Sequence, residues 1–206
     1  MFEIVFQDDY LLVLNKPSGL LAVPGRGPDL QDCLSARVQA VYPAALVVHR
    51  LDRDTSGLMV MALDLSTQRA LNRLFAERQV EKRYVAVVHG TPATAEGVID
   101  LPMRKDFDRP PCHKIDPIAG RPARTRWRLL ESLGDRSRLE VSPETGRSHQ
   151  IRLHLATLGL PILGDNLYAH AAACEMSSRL LLHATELSLT HPFTAAPCSW
   201  RSACPF

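Results

Sequence analysis

Residues 49–60 read HRLDRDTSGLMV, which places the charged side chains Arg50, Asp52, Arg53 and Asp54 between the apolar stretches AALVV (44–48) and MAL (61–63). The pattern reads as two buried strands joined by a short charged loop that ends in Gly57. A loop mounted between rigid buried elements is where a reactive side chain can be held in place. Two readings stay open at this point. Either the cluster is a salt-bridged turn, with Asp52 paired to an arginine and Asp54-Thr55-Ser56 satisfying its own backbone, or a carboxylate here does chemistry.

Outward from this loop, residues 3–20, EIVFQDDYLLVLNKPSGL, form two β-rich runs around Asp8 and Asp9 and predict a hairpin whose second strand stops at KPSG. A helix is expected over 30–41, followed by a short buried strand in AALVVH. From Ser66 to Glu77, Leu71, Leu74 and Phe75 follow helical spacing. Ser66 is expected as N-cap and Arg73 and Glu77 pair at i, i+4, so that this helix packs behind the loop. KRYVAVVHG (82–90) reads as a central strand. Strands near 125–131 and 138–141 are separated by the turn LGDRS. A helix over about 148–158 carries an apolar stripe of Ile151, His154, Leu155 and Leu158 and stops at Gly159. SRLLLHATELSL (178–189) supplies a last strand. Strands and helices mix without a regular βαβα order, which predicts an α+β fold with a mixed, largely antiparallel central sheet and flanking helices.

Composition narrows the function classes. The chain has 206 residues, 46% hydrophobic and 22% charged, enough for a folded core and too apolar for disorder. Its five cysteines form no CxxC pair, as expected of reduced thiols in the cytoplasm. No apolar run is long enough to cross a bilayer, and the start MFEIVFQDDY has no leader character. The net charge is only +2, but residues 104–128 hold eight Lys or Arg against three Asp, a basic, Pro-containing arm that suits an RNA backbone or a plain solvated loop.

Several chemistries lack their signals. There is no GxGxxG, no GxxxxGK[ST], no HExxH and no GxSxG, and His149 and His154 are spaced poorly for one helical face. His154 reads as a satisfied core histidine, and His49, His149 and His183 as neighbours of a polar site. Neither a metal nor a cofactor is expected. Cofactor-free carboxylate chemistry remains: hydrolysis, isomerisation or lyase work.

HRLDRDTSGLMVMA resembles the HRLDxxTSG signature of the RluA-type pseudouridine synthases. The likeness continues in order through LNKPSGLLAVPG (14–25), KRYVAVVHG, TGRSHQIRLHLATLGLPILGDNLY (145–168) and RLLLHATELSLTHP (179–192), and so covers nearly the whole chain. Within the family, the short length and GLLAVPGRGPD are most similar to the dual-specificity members that modify both ribosomal and transfer RNA. The resemblance implies one catalytic domain over residues 1–206 without a separate N-terminal RNA-binding domain. It also implies no cofactor, no membrane, no obligatory protein partner, a monomer, and ribosomal or transfer RNA stem-loops as partner.

Residue by residue, the resemblance implies Asp52 as catalyst, Tyr84 stacked on the target base, and Arg147 as the cationic partner of Asp52. Arg50 fills the gap left when the base flips out, and Leu182, within the run Leu180–Leu182, forms an apolar wall. Without the resemblance, a Tyr in a β-rich run would be read as a core residue. Arg121, Arg124 and Arg126 are expected on the RNA backbone. An ionised carboxylate could attack ribose C1′, add to uracil C6, or remove the 2′ proton to give a glycal. Two rivals remain: a non-catalytic RNA-binding, chaperone-like protein, and a glycosidic-bond hydrolase using Asp54 or Asp165 as a second carboxylate. Arg53 has no evident role in any of these.

Overall fold

The computed structural model describes residues 2–206. In chain order the elements are β1 (Glu3–Gln7), β2 (Leu11–Lys16), α1 (Leu34–Gln39), β3 (Leu46–Val47), β4 (Ser56–Ala62), α2 (Leu65–Ala76), β5 (Glu81–His89) and β6 (Glu96–Asp100). There follow β7 (Met103–Lys105), β8 (His113–Ile115), β9 (Arg124–Ser132), β10 (Arg136–Pro143), α3 (Gln150–Thr157), α4 (Ala171–Glu175), β11 (Leu182–Thr190) and β12 (Pro197–Arg201). The chain divides into two compact units, Met1–Lys82 with His183–Pro205, and Arg83–Leu182 with Phe206.

In the first unit β4 is the central strand, and all seven of its residues, SGLMVMA, are buried. Successive side chains of a strand point to opposite faces, so a strand covered on both sides reads as an unbroken apolar run. Leu58, Val60 and Ala62 pack on one side with Leu11 and Val13 of β2 and Leu71 of α2. Met59 and Met61 pack on the other with Leu12, Leu14 and Leu34 and Val38 of α1. Each fully buried Leu or Met here contributes about 1.5–3 kcal/mol, which is why the loop before β4 has a firm base. β1 and β2 form the expected hairpin, β2 and β3 pair antiparallel with β4, and β11 runs parallel to β4 and antiparallel to β12.

The second unit orders its strands β5-β10-β9-β6, all antiparallel, with β7 and β8 as a separate hairpin. β10 alternates strictly, burying Ser137, Leu139 and Val141, and β9 buries Thr125 and Trp127 while Arg124, Arg126 and Arg128 line its other face. The mixed α+β reading with mostly antiparallel strands and flanking helices holds.

Boundaries differ in places. The helix expected over 30–41 is confined to 34–39, because Cys33 occupies the N-cap and its sulfur accepts from the Ala36 N–H. α2 is capped by Asp64 rather than Ser66: the Asp64 carboxylate accepts from the Thr67 N–H at 2.9 Å, and the Ser66 hydroxyl itself donates to Asp64. α3 starts two residues late because His149 adopts φ 59°, and Leu158 is exposed at its C-cap rather than part of the buried stripe. The last long strand begins at Leu182, four residues after the expected start.

Candidate active site

The sequence candidates fall into both units. In the first, Arg50 and Asp52 sit on the loop between β3 and β4, Arg50 exposed and Asp52 half-buried. The backbone around them is fixed from the KPSG turn. Lys16 is completely buried, and its ammonium donates to the carbonyls of Pro17 at 2.9 Å, Leu20 at 2.7 Å and Arg53 at 2.8 Å. The Ser18 hydroxyl donates to the Asp54 carbonyl at 2.7 Å, and Arg53 Nε donates to the Gly19 carbonyl at 3.0 Å. Arg53 therefore has a role that sequence did not reveal: it returns the clasp between the two turns. Three such bonds across more than thirty residues of chain hold the loop at Arg53 and Asp54, immediately after Asp52.

Below the loop, Gly57 has φ +112°, and a Cβ there would lie 2.3 Å from the Ala184 carbonyl oxygen. Only glycine lets β4 approach β11 this closely. One residue earlier, Ser56 Oγ hydrogen-bonds His183 Nδ1 at 2.8 Å, and His183 Nε2 meets Ser202 Oγ at 3.1 Å. Ser56 and Gly57 thus join β4 to β11 at the foot of the loop. At the loop's entry, the Val60 N–H donates to His49 Nε2 at 3.0 Å, which requires a lone pair there and hence a neutral ring. Burial, reinforced by the Lys82 ammonium, holds the His49 imidazole down at about 3. Its ring stacks on Phe75 of α2 at 4.6 Å, so α2 does brace the motif as expected. Within its own unit the Asp52 carboxylate takes no hydrogen bond or ion pair among the described residues, and is left available for a partner.

In the second unit, Tyr84 is on β5 opposite Val141 and is nearly buried. Leu182 is buried at the start of β11. Arg147 lies in the turn between β10 and α3, and Gln150 is what fixes that turn. Gln150 is buried; its Oε1 accepts from the Arg147 N–H at 3.0 Å and the Thr145 hydroxyl at 2.7 Å, while its Nε2 donates to the Arg124 carbonyl at 2.9 Å and Thr125 Oγ at 3.0 Å. Gln150 is the first residue of α3, just past the N-cap His149, so its side chain ties the helix start back to the turn and to β9. The chain of bonds continues: the Thr125 hydroxyl meets His154 Nδ1 at 2.8 Å and His154 Nε2 meets the Leu101 carbonyl at 3.0 Å. His154 is the satisfied core histidine that the sequence suggested. Burial lowers its pKa, against the opposing pull of the Leu101 carbonyl and Asp100. Arg147 Nε donates to the Pro122 carbonyl at 3.2 Å.

Deeper in this unit, Arg152 and Asp165 form a bidentate pair at 2.8 and 2.6 Å, with side chains 2% and 1% exposed. Asp165 is thereby committed to structure, which counts against the hydrolase reading that would use it as a second carboxylate. Of the three arginines expected on the RNA backbone, Arg124 meets Asp100 and Glu144, both at 3.2 Å, and Arg126 meets Glu144. The excess charge of 104–128 is therefore partly balanced by carboxylates from flanking strands, and Arg121 is the exposed member without an ion pair among the described residues. Among those residues no cluster of three or more His, Cys, Asp or Glu forms a metal site, and no helix is long and apolar enough to cross a membrane.

Sequence reasoning missed Lys16, Ser18, Thr145 and Gln150. The available signal for Lys16 was a lone cation ending the apolar run LLVLN, and for Gln150 the T-x-x-x-x-Q spacing at a helix start.

The sequence profile of the RNA pseudouridylate synthase family matches residues 10–157. The chain is 48% identical over 190 residues to the dual-specificity RNA pseudouridine synthase RluA of Escherichia coli K12, covering 92% of this chain and 87% of that one. It is 45% identical over 204 residues to the RluA of Yersinia pestis, covering 98% and 99%. Among solved structures it superposes on human RNA pseudouridylate synthase domain containing 1 with a TM-score of 0.83 at 28% identity, over 100% of this chain and 84% of the human one. Motif order, fold and these likenesses agree, and the chain belongs to the RNA pseudouridylate synthase family, as an isomerase that makes pseudouridine in RNA.

Proposed function

We propose that this enzyme isomerises uridines in stem-loops of both ribosomal and transfer RNA, with Asp52 as the reacting carboxylate. The observation that carries the assignment of Asp52 is its setting. Its loop is clasped by Lys16, Ser18 and Arg53, while its own carboxylate is left uncommitted within its unit. In the reaction the bond from ribose C1′ to uracil N1 breaks, the base turns, and C1′ rejoins at C5. N1 gains a proton and C5 loses one, so atoms and electrons balance without a redox partner.

Arg147 serves Asp52 as its cation: a carboxylate shielded from water is disfavoured as the anion, and a guanidinium fork restores that form and fixes its orientation. Tyr84 gives the extruded uracil a flat face, with stacking worth about 1–3 kcal/mol, and Leu182 closes the apolar side. Flipping costs a few kcal/mol, and Arg50, exposed on the same loop as Asp52, offsets part of it by occupying the vacated place in the stack. Arg121, with Arg124 and Arg126 sharing themselves between carboxylates and phosphates, grips the backbone and makes binding weaken with salt. The enzyme acts as a monomer in the cytoplasm, where both RNAs are found.

Asp52→Ala should abolish pseudouridine formation, read by chemical mapping of ribosomal and transfer RNA stem-loops, while RNA binding persists. Conversion surviving that change would overturn the assignment of Asp52, and conversion of only one RNA class would remove the dual specificity.

A further inference from the structure

The β7–β8 hairpin ends in a feature that none of the roles above uses. Its strands pair Met103 with Ile115, Arg104 with Lys114 and Lys105 with His113. Its base is anchored: Met103 is buried with Ala123 and Leu153 and packs against Ile115 and Tyr168. The Tyr168 hydroxyl accepts from the His113 N–H at 2.8 Å. At the tip stands Phe107, 77% exposed.

The tip is held in a defined shape. The Asp106 N–H donates to the Cys112 carbonyl at 2.9 Å, and the Cys112 N–H to the Arg109 carbonyl at 2.8 Å. One ammonium, Lys114, takes both carboxylates that flank Phe107, Asp106 at 3.1 Å and Asp108 at 3.5 Å. The sequence DFDRPP (106–111) supplies Asp and Pro for the turn itself, so Phe107 is not there for turn chemistry. An ordered turn that neutralises the acids beside an outward-facing phenyl ring presents an aromatic face to solvent. Single exposed apolar residues are common on protein surfaces. What distinguishes this one is the anchored base and the paired acids around it.

We propose that Phe107 is a stacking contact for an unpaired base of the RNA substrate, presented by the β7–β8 hairpin as a second aromatic contact outside the catalytic constellation. This rests on the reading that the enzyme acts on structured RNA. Charge supports stacking over phosphate contact: across residues 104–116, Arg104, Lys105, Arg109 and Lys114 face Asp106, Asp108 and Asp116, and Asp116 is itself paired with Arg104. The hairpin is nearly neutral, so its contribution comes from the ring. Every base has a π-face, which makes such a contact tolerant of sequence. That suits an enzyme whose relatives carry the description dual-specificity.

The test measures affinity for one fluorescently labelled, uridine-containing stem-loop RNA as a function of salt, together with conversion of that RNA by the wild type. Phe107→Ala should weaken binding roughly 10-fold, within about 5- to 100-fold, by the same factor at every salt concentration. Phe107→Trp should restore wild-type affinity and Phe107→Leu should not, because Leu keeps the apolar surface and lacks the flat face. Unchanged affinity for Phe107→Ala, a loss that disappears at high salt, or a Leu variant as good as Phe would each overturn the proposal. The Trp and Leu variants keep the comparison valid if the Ala variant folds poorly. Wild-type protein that binds this RNA without converting its uridine would sink the functional reading of this substrate instead, while the ratio between Phe107 variants would still decide the stacking contact.

Discussion

Replacing Arg152 by Met would strand the Asp165 carboxylate in the second unit's interior. The two side chains are 2% and 1% exposed and meet through two parallel bonds at 2.8 and 2.6 Å. Asp165 Oδ1 also accepts from the N–H groups of Leu167 at 2.9 Å and Tyr168 at 3.1 Å, so the carboxylate cannot simply swing to water without undoing that turn. Removing one partner of a buried ion pair costs about 3–5 kcal/mol, because the remaining charge is left unpaired. The guanidinium also lies 5.5 Å over the Tyr168 ring, and that contact goes with it. In urea, at an m-value of about 2 kcal/mol per M, a loss of 3–5 kcal/mol moves the midpoint down by about 1.5–2.5 M. The double variant Arg152→Met with Asp165→Asn removes both charges and keeps an oxygen to cap Leu167 and Tyr168. It should recover half or more of the loss, giving a coupling energy above about 1.5 kcal/mol. A single variant costing under 1 kcal/mol, or a double variant no better than the single, would refute the reasoning.

Gly57→Ala should fail more severely than a typical helix or strand Gly→Ala change. The Cβ would meet backbone atoms of Ala184 at 2.3 and 2.5 Å and φ is +112°, so we expect a loss of several kcal/mol, read as insolubility or a large drop in urea midpoint; a midpoint within experimental error of wild type would refute it. Stability should also fall with acid through His49 and His154. Both are neutral in the fold with depressed pKa values, so below the ordinary histidine value near 6.5 the unfolded chain binds more protons than the folded one. That stability is present above pH 6.5 and is lost progressively as pH falls towards about 3 for His49, with about 1–2 kcal/mol gone by pH 5 from that residue. Urea midpoints measured between pH 7 and 5 should fall more steeply for wild type than for His49→Phe, and equal slopes would dismiss the role of His49.

Much of the fold was legible because burial leaves a periodic trace. β4 read as an unbroken apolar run since both its faces are covered, and β10 alternated since one face is. What escaped were the strands β6, β7, β8 and β12 and the helix α4, three to five residues each. Short strands with few buried positions have too few apolar residues to set a period. Cap errors have a similar origin: Asp64 and Ser66 are both favoured capping residues, and only the geometry of the Asp64 carboxylate against the Thr67 N–H decides between them.

The candidate site shows a different division. Arg50, Asp52, Tyr84 and Arg147 were named because they stand within long motifs, but those motifs contain more residues than any one reaction needs. The structure assigns most of the remainder to backbone support. Gly57 permits contact with Ala184, Ser56 holds His183, Ser18 and Arg53 clasp the two turns, and Gln150 bonds the Arg147 N–H. Lys16 shows why such roles are hidden in sequence. Its acceptor on Arg53 is 37 residues away, and its chemistry, an ammonium satisfying carbonyls, leaves no local pattern. Its ammonium donates to three carbonyls at 2.7–2.9 Å, and the one on Arg53 helps to fix the loop that carries Asp52. The carboxylate proposed to react therefore stands on a loop held by side chains that spend polar atoms on backbone carbonyls, and much of the length of the signature motifs is scaffold for that one Asp.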